Sequence, residues 1–207
     1  ELRSCQRGDV FFRIDAAGQI THEAAYFLDS NDYYSSRNYT SRLVGGKLIF
    51  YLPYSLEVRT DLEDKDRVEA KLPEMRRWIR ARELEPMSIL EKVNVYKPVQ
   101  ETNSPTLHTV VACDLLTSPL SCSARAVVGP YARSFYVSPN AVHLWISEGR
   151  SREGPPRAFA YRLSLTEDAA SVAETQGVPN DQFSFKEHGG GDLYVLVSGE
   201  GHGDVMW

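Results

Sequence analysis

Three features are scarce in this 207-residue sequence: cysteine, long apolar runs and clustered positive charge. Three cysteines allow one intrachain disulfide and leave one thiol over. No window of about 18 residues is apolar throughout, so the sequence predicts no membrane-spanning helix. The formal net charge is −5, and lysine and arginine never form a long run. This charge pattern argues against DNA or RNA as the main partner.

Recognisable catalytic and cofactor motifs are also missing from the sequence. No Gly-x-Ser-x-Gly nucleophile elbow occurs, and the glycines at 189–191 lack the Gly-Lys-Ser/Thr ending of a phosphate-binding loop. None of the five histidines stands at metal-ligand spacing from another histidine or a cysteine. The sequence therefore predicts no cofactor and favours a protein that is not an enzyme.

The sequence does contain a β-hairpin pattern that occurs three times. An outer hairpin of β-branched and aromatic residues around a turn recurs at residues 10–28, 109–129 and 158–178. It alternates with a strand-turn-strand unit, here called the inner pair, at residues 40–52, 134–147 and 182–198. Such a unit cannot bury its own apolar faces, so neighbouring units must stack on each other.

The second strand of each inner pair is apolar almost without interruption, which is typical of a strand covered on both faces. These strands occupy residues 47–51, 141–145 and 192–196. Positions 114 and 164, at the ends of two equivalent outer strands, are 50 residues apart. A period of about 50 residues with four strands is typical of a propeller blade.

We therefore expect an all-β fold over residues 1–207, built of about three β-propeller-like, four-stranded antiparallel blades. Three blades are too few to close a ring of typically 4–8 blades. Further blades or a second chain would have to complete the ring.

One blade carries an insertion at about residues 60–105, because the first repeat interval is roughly 45 residues longer than the second. The acidic residues 61–64 favour a helix start, and Leu72, Met75 and Ile79 fall on one face of a helix. We expect a mainly helical insertion, followed by a strand over residues 89–96. Its basic residues stand beside a tryptophan: Arg76, Arg77, Trp78 and Arg80. In one interpretation these residues dock the protein to an acidic partner or to a membrane surface. In the other they form the outside of a helix that packs Trp78 beneath it.

Two smaller sites are open to alternative interpretations. Cys113 and Cys122 flank a hairpin turn and would lie directly opposite each other, which suits a cross-strand disulfide in an oxidising compartment or two half-buried free thiols. Cys5 has no obvious partner. Glu200 and Asp204, in a glycine-rich segment, are candidate Ca²⁺ ligands, and a solvated connector between strands is the alternative.

Several stretches resemble a family of bacterial secreted proteins with a C-terminal β-propeller domain distantly related to WD40 repeats. The resemblance lies in residues 41–48, 107–115, 135–144 and 177–188, including Ser41-Arg42 and Gln182-Phe183-Ser184. The chain departs from the family pattern at Asp181 and Lys186. The resemblance implies an extracytoplasmic protein, often membrane-proximal, and it implies no established activity.

The leading hypothesis is a non-enzymatic binding or scaffold module that recognises a protein or surface polymer through propeller loops. A hydrolase or lyase that acts on polysaccharide or peptide at the central face is the first alternative. It would need carboxylates or histidines that converge there. A structural, self-assembling module, in which two chains complete one ring, is the second.

Overall fold

The computed structural model describes residues 6–29, 41–56, 58–60, 68–70, 74–80, 83–87, 95–99, 102, 105–117, 120–131, 133–147, 154–189, 191–198 and 205–206. Over these residues the fold is all-β, as the sequence predicts, and α-helix is absent from them. A short 3-10 helix occupies Gln182–Ser184. The described part of the chain contains no helix with the length and apolar character needed to cross a bilayer.

The strands follow one another closely along the chain. The first nine are β1 (Gln6–Ile14), β2 (Ile20–Asp29), β3 (Ser41–Val44), β4 (Lys47–Ser55), β5 (Val58–Thr60), β6 (Val68–Ala70), β7 (Met75–Arg80), β8 (Glu83–Met87) and β9 (Val95–Tyr96). The others are β10 (Thr106–Asp114), β11 (Ser121–Gly129), β12 (Arg133–Val137), β13 (Ala141–Ser147), β14 (Arg157–Ser164), β15 (Ala170–Gln176), β16 (Val178–Pro179), β17 (Phe185–Glu187), β18 (Leu193–Val195), β19 (Val197–Ser198) and β20 (Val205–Met206).

Four of the sheets contain strands of the predicted repeat. Sheet 1 has the order β1-β2-β7-β8, sheet 2 has β3-β4-β10-β11-β9, sheet 3 has β12-β13-β14-β15, and sheet 4 is the pair β17-β18. Sheets 2 and 3 join an inner pair to an outer hairpin, as predicted, whereas sheet 1 joins an outer hairpin to β7 and β8, and sheet 4 is an inner pair alone. Neighbouring strands in them are antiparallel, apart from the parallel pair of β9 with β11. The remaining strands form a three-stranded sheet, β16-β19-β20, and the pair β5-β6. Several four-stranded antiparallel sheets are therefore present.

The pairing register confirms the predicted correspondence between sheets 2 and 3. Asp114 at the end of β10 pairs with Lys47 at the start of β4. Ser164 at the end of β14 pairs in the same way with Ala141 at the start of β13. Positions that are 50 residues apart in the sequence thus occupy the same place in two successive sheets.

Sheet 2 is buried on both faces because it lies between two other sheets. Successive residues of β4 point to opposite faces: Phe50 and Leu52 join a core with sheet 1, whereas Ile49 and Tyr51 join a core with sheet 3. The first core includes Tyr26, Met75, Leu107 and Val111. The second includes Phe135, Leu144, Ile146, Phe159 and Tyr161. The uninterrupted apolar run of β4 follows from this double coverage.

Sheet 3 is covered in the same manner by sheet 4. Every residue of β13 is buried, and Trp145 packs against Phe185 of sheet 4 with its ring edge-on. The Trp145 indole N–H donates a 3.0 Å hydrogen bond to the carbonyl of Gly177. Gly177 has φ +82°, and a Cβ there would lie 3.0 Å from the Val197 side chain, so only glycine fits this passage between sheets.

The expected helical insertion is wrong in the residues that the structure describes. Residues 68–70, 75–80 and 83–87 are the strands β6, β7 and β8. The spacing of Met75 and Ile79 fits a helix, but these residues form a strand because their backbone pairs with two neighbouring strands. β7 fills the hydrogen-bonding edge of β2 and pairs with β8 on its other side. The acidic residues 61–64 and Leu72 lie outside the described residues, and of the strand expected over residues 89–96 the structure describes β9.

The third inner pair also departs from the expectation. Its first residues form the 3-10 helix rather than a strand, because the Asp181 carboxylate caps the backbone N–H groups of Phe183 and Ser184. In β18 partly buried residues flank exposed Tyr194, so this strand is covered on one face, whereas β4 and β13 are covered on both.

The hairpin of β10 and β11 places Cys113 directly opposite Cys122, as predicted, with their Cα atoms 4.1 Å apart. The two sulfurs form a disulfide, so the free-thiol alternative is wrong. Cys113 is fully buried in the core between sheets 1 and 2. The disulfide thus links the two strands near the turn of a hairpin whose two faces pack against both neighbouring sheets.

Replacing both cysteines, Cys113→Ala with Cys122→Ala, should lower the free energy of unfolding by about 2–3 kcal/mol, because the unfolded chain loses a closed loop of about ten residues. Urea denaturation without reductant measures the difference. Wild-type protein in reductant should approach the double variant, and the variant itself should not respond to reductant. Equal stability of wild type and variant would contradict the structural role of the disulfide.

Candidate functional site

Aromatic and basic side chains lie at the inner edges of sheets 2 and 3 and on the 3-10 helix that leads into sheet 4. β3 and β12 are the edge strands of sheets 2 and 3. The 3-10 helix precedes β17 of sheet 4 and lies against β12. We define the inner-edge surface by four residues on these elements, Arg42, Arg133, Gln182 and Phe183, and by Tyr131 in the connection that precedes β12.

A direct hydrogen bond joins two sheets that a third sheet separates. The guanidinium of Arg42 on β3 donates to the side-chain oxygen of Gln182, which leads into β17. On the way it passes over the ring of Phe135 on β12, with 6.0 Å from the guanidinium carbon to the ring centroid. Two of the four stretches on which the family resemblance rests therefore touch.

This hydrogen bond shows that the edge of sheet 2 and the 3-10 helix leading into sheet 4 approach each other across β12 of sheet 3. Stacked sheets are about 10 Å apart, so two sheets that flank a third would lie roughly 20 Å apart in a parallel stack. Arg42 and Gln182 nevertheless reach each other with their side chains. The layers are therefore closer at β3, β12 and the 3-10 helix than in a parallel stack.

Local sequence fixes the exposed position of Phe183. The Asp181 carboxylate accepts hydrogen bonds of 2.8 and 3.1 Å from the backbone N–H groups of Phe183 and Ser184. The Ser184 hydroxyl in turn accepts a hydrogen bond from the Asp181 backbone N–H, which completes a capping box. Phe183 stands in the middle of this rigid turn, and 84% of its surface is exposed.

An arginine and a tyrosine extend the inner-edge surface along β12. The Arg133 guanidinium stacks over the Tyr131 ring, with 4.4 Å from its central carbon to the ring centroid. Tyr131 is exposed, and Arg133 is half-buried. Cationic groups beside exposed aromatic rings can bind carboxylates and planar groups of a ligand together. These groups are suited to binding a ligand rather than to transforming it chemically.

The structure disperses the basic residues predicted as a docking patch. In β7, Trp78 and Arg76 pair with Ala25 and Phe27 of β2 on one face of sheet 1, and Arg77 points to the opposite face. Trp78 is partly exposed and contacts the edge of the His22 ring. Arg80 belongs to β7, but its side chain is outside the described part. A single helical face is therefore not formed.

The predicted calcium ligands Glu200 and Asp204 lie outside the residues that the structure describes. Within the described ranges, no three histidine, cysteine, aspartate or glutamate side chains are grouped so that they could hold a metal ion.

A buried acid–base pair lies between sheets 3 and 4. His143 on β13 has its Nε2 atom 3.8 Å from an Oε1 atom of Glu187 on β17, and both side chains are more than nine-tenths buried. Burial lowers the pKa of His143, against the opposing effect of Glu187 and with a smaller contribution from Arg162. His143 is therefore neutral near pH 7, so the contact is not an ion pair. Because it is closed off between sheets, the pair is structural.

A second buried histidine organises the interface between sheets 2 and 3. His108 accepts a hydrogen bond at Nδ1 from the Tyr51 hydroxyl, 2.7 Å away, because its Nε2–H donates to the Pro130 carbonyl at 2.8 Å. Burial lowers the pKa of His108 to about 4, although the bond to Pro130 opposes that effect. The neutral ring serves the packing between sheets.

Sequence reasoning missed Tyr131, Arg133 and Phe183 as surface residues. The one local signal was Asp181 followed three residues later by Ser184, a spacing typical of a capped turn. The contact of Arg42 with Gln182 spans 140 residues of sequence, and no local pattern encodes it.

Acid should destabilise the protein through its buried histidines. The unfolded state takes up protons near the ordinary histidine pKa of 6.5, whereas His108 stays neutral in the folded state until about pH 4. Stability is therefore retained above pH 6.5 and lost as the pH falls toward 4. The contribution of His108 between pH 7 and 5 is about 2 kcal/mol.

Urea denaturation at pH 7, 6 and 5 measures this loss. The variant His108→Gln should be less stable at pH 7 and should lose about 2 kcal/mol less than wild type on acidification to pH 5. An identical pH slope in wild type and His108→Gln would refute the assignment.

No protein-family model, curated protein or solved structure matches this chain. A function must therefore be inferred from the geometry of the chain itself.

Proposed function

We propose that this chain is part of a β-propeller and acts as a non-enzymatic binding module of the bacterial envelope or exterior. It recognises an acidic protein or surface polymer at the inner-edge surface. The observation that carries the proposal is the approach of β3 and the 3-10 helix across β12, at the Arg42–Gln182 hydrogen bond. Half-buried arginines and the exposed rings of Tyr131 and Phe183 lie on the same elements or directly beside them.

Two further observations support the architecture and location. Convergent inner edges are what blades arranged around an axis require, and propellers present such edges at a central face. The disulfide between Cys113 and Cys122 supports an oxidising, extracytoplasmic compartment, which agrees with the family resemblance.

The chemistry of the surface favours binding over catalysis. A hydrolase or lyase at this face would need convergent carboxylates or histidines. The five residues of the inner-edge surface supply two guanidinium groups, an amide and two aromatic rings instead. Tyrosine and arginine are the residue types that contribute most to binding energy at protein interfaces.

The charge of the surface predicts which ligands bind. Labelled poly-L-glutamate serves as the acidic polypeptide and labelled polygalacturonate as the acidic polysaccharide, with neutral dextran as the uncharged control. We expect one of the acidic polymers to bind, more weakly as salt rises, and dextran not to bind. Fluorescence anisotropy at 50 and 300 mM salt measures both effects.

Substitution then places the binding on the inner-edge surface. Phe183→Ala and Arg133→Ala should each raise the dissociation constant about tenfold, the size of effect that a central contact residue contributes. Leu116→Ala is the matched control, because Leu116 is 88% exposed but lies in the turn between β10 and β11. Absence of binding to both acidic polymers would overturn the proposal. Binding that survives the double variant of Phe183 and Arg133 would also overturn it.

A further inference from the structure

Sheet 1 exposes an apolar face, whereas the equivalent faces of sheets 2 and 3 are buried. Val10, Phe12 and Ile14 alternate along β1 and therefore share one face; they are 53, 58 and 66% exposed. Ile20 pairs with Ile14 and is equally exposed. The His22 ring contacts both Phe12 and Trp78 edge-on, which extends the patch across three strands. We call this patch of Val10, Phe12, Ile14, Ile20 and Trp78 the head face.

The repeat shows what the head face is built to meet. The equivalents of Val10, Phe12 and Ile14 are Thr109, Val111 and Cys113 in β10, and Phe159, Tyr161 and Leu163 in β14. All six equivalents are buried. In β10 Val111 and Cys113 join the core with sheet 1, and the three β14 residues join the core with sheet 2. In both cases the covering sheet is the preceding one, so the head face is shaped for a preceding sheet.

The opposite end of the stack exposes the complementary surface. Tyr194 and Leu196 are the repeat equivalents of Ile49 and Tyr51 in β4, which bury against the following sheet. In β13 the corresponding Trp145 buries against sheet 4. Tyr194 and Leu196 are instead 61 and 39% exposed. We call these two residues the tail face.

We propose that the head face of one molecule docks the tail face of a second copy of this chain. The equivalents of both faces already meet within the molecule between sheets 2 and 3, where Ile49 and Tyr51 of β4 share a core with Phe159, Tyr161 and Leu163 of β14. One chain therefore carries both halves of a contact that its own core contains. This interaction is separate from the polymer binding at the inner-edge surface.

Head-to-tail contacts of this kind close a ring or continue into a filament. A closed dimer covers both end faces of each chain, whereas a filament leaves one face exposed at each of its ends. A closed dimer is therefore the expected assembly.

Sedimentation velocity from low to high micromolar concentration tests the contact. Wild type should sediment as a dimer of 23.3 kDa chains. Phe12→Glu on the head face and Tyr194→Glu on the tail face should each raise the dissociation constant at least about 100-fold and leave monomers, because a carboxylate would be buried in an apolar contact. Leu116→Glu, at a position that is more exposed but lies on neither face, should remain a dimer.

Mixing the two variants distinguishes a head-to-tail contact from other modes of dimerisation. Phe12→Glu keeps an intact tail face and Tyr194→Glu keeps an intact head face, so the mixture should form heterodimers through one contact. A wild-type monomer at every concentration would overturn the proposal. A dimer that survives both substitutions, or a mixture that stays monomeric, would overturn it as well. Circular dichroism checks that each variant retains the wild-type strand signal.

Discussion

The structure depends on one constraint: each sheet must bury both of its faces against a neighbour. In β4 this requirement sends Phe50 into one core and Ile49 into the other, and in β13 it leaves every residue buried. Polar side chains also lie at these interfaces, where hydrogen bonds within the protein replace their contacts with water. His108 stays neutral because Tyr51 and the Pro130 carbonyl satisfy both of its nitrogens. The cores are thus shared between sheets, and no sheet is stable as an isolated unit.

The same constraint explains where the molecule can interact. Convergence of the layers at Arg42 and Gln182 leaves side chains of three sheets on one edge, and the capped turn holds Phe183 outward there. At the two ends of the stack the covering sheet is missing among the described residues, so Phe12 and Tyr194 remain exposed. An inner edge that binds ligands and end faces that bind a second copy are two consequences of one stacking rule.

Much of this architecture was predictable, because alternation and repeat spacing are properties of local sequence. Aligning the repeats made Asp114 equivalent to Ser164 and Lys47 equivalent to Ala141, and the pairings of Asp114 with Lys47 and of Ser164 with Ala141 agree with that alignment. The insertion was not predictable in the same way. Met75 and Ile79 fit helical and extended conformations alike, and β7 became a strand through backbone pairing with β2, about 50 residues away. Contacts across 140 residues, such as Arg42 with Gln182, are likewise invisible to local patterns.

Crosslinking between the edge of sheet 2 and the 3-10 helix that leads into sheet 4 tests the account most directly. In a Cys5→Ser background, the pair Arg42→Cys and Gln182→Cys should be linked by a short bifunctional maleimide, which spans the gap that the two long side chains bridge in the wild type; mass spectrometry of the digested protein detects the link. The control pair, Arg42→Cys with Val172→Cys, should not, because β15 is three strands from β12 and thus roughly 14 Å away across sheet 3. Converging sheets predict efficient crosslinking of positions 42 and 182 alone. Failure of that pair, or equal crosslinking of the control, would show that the sheets do not converge.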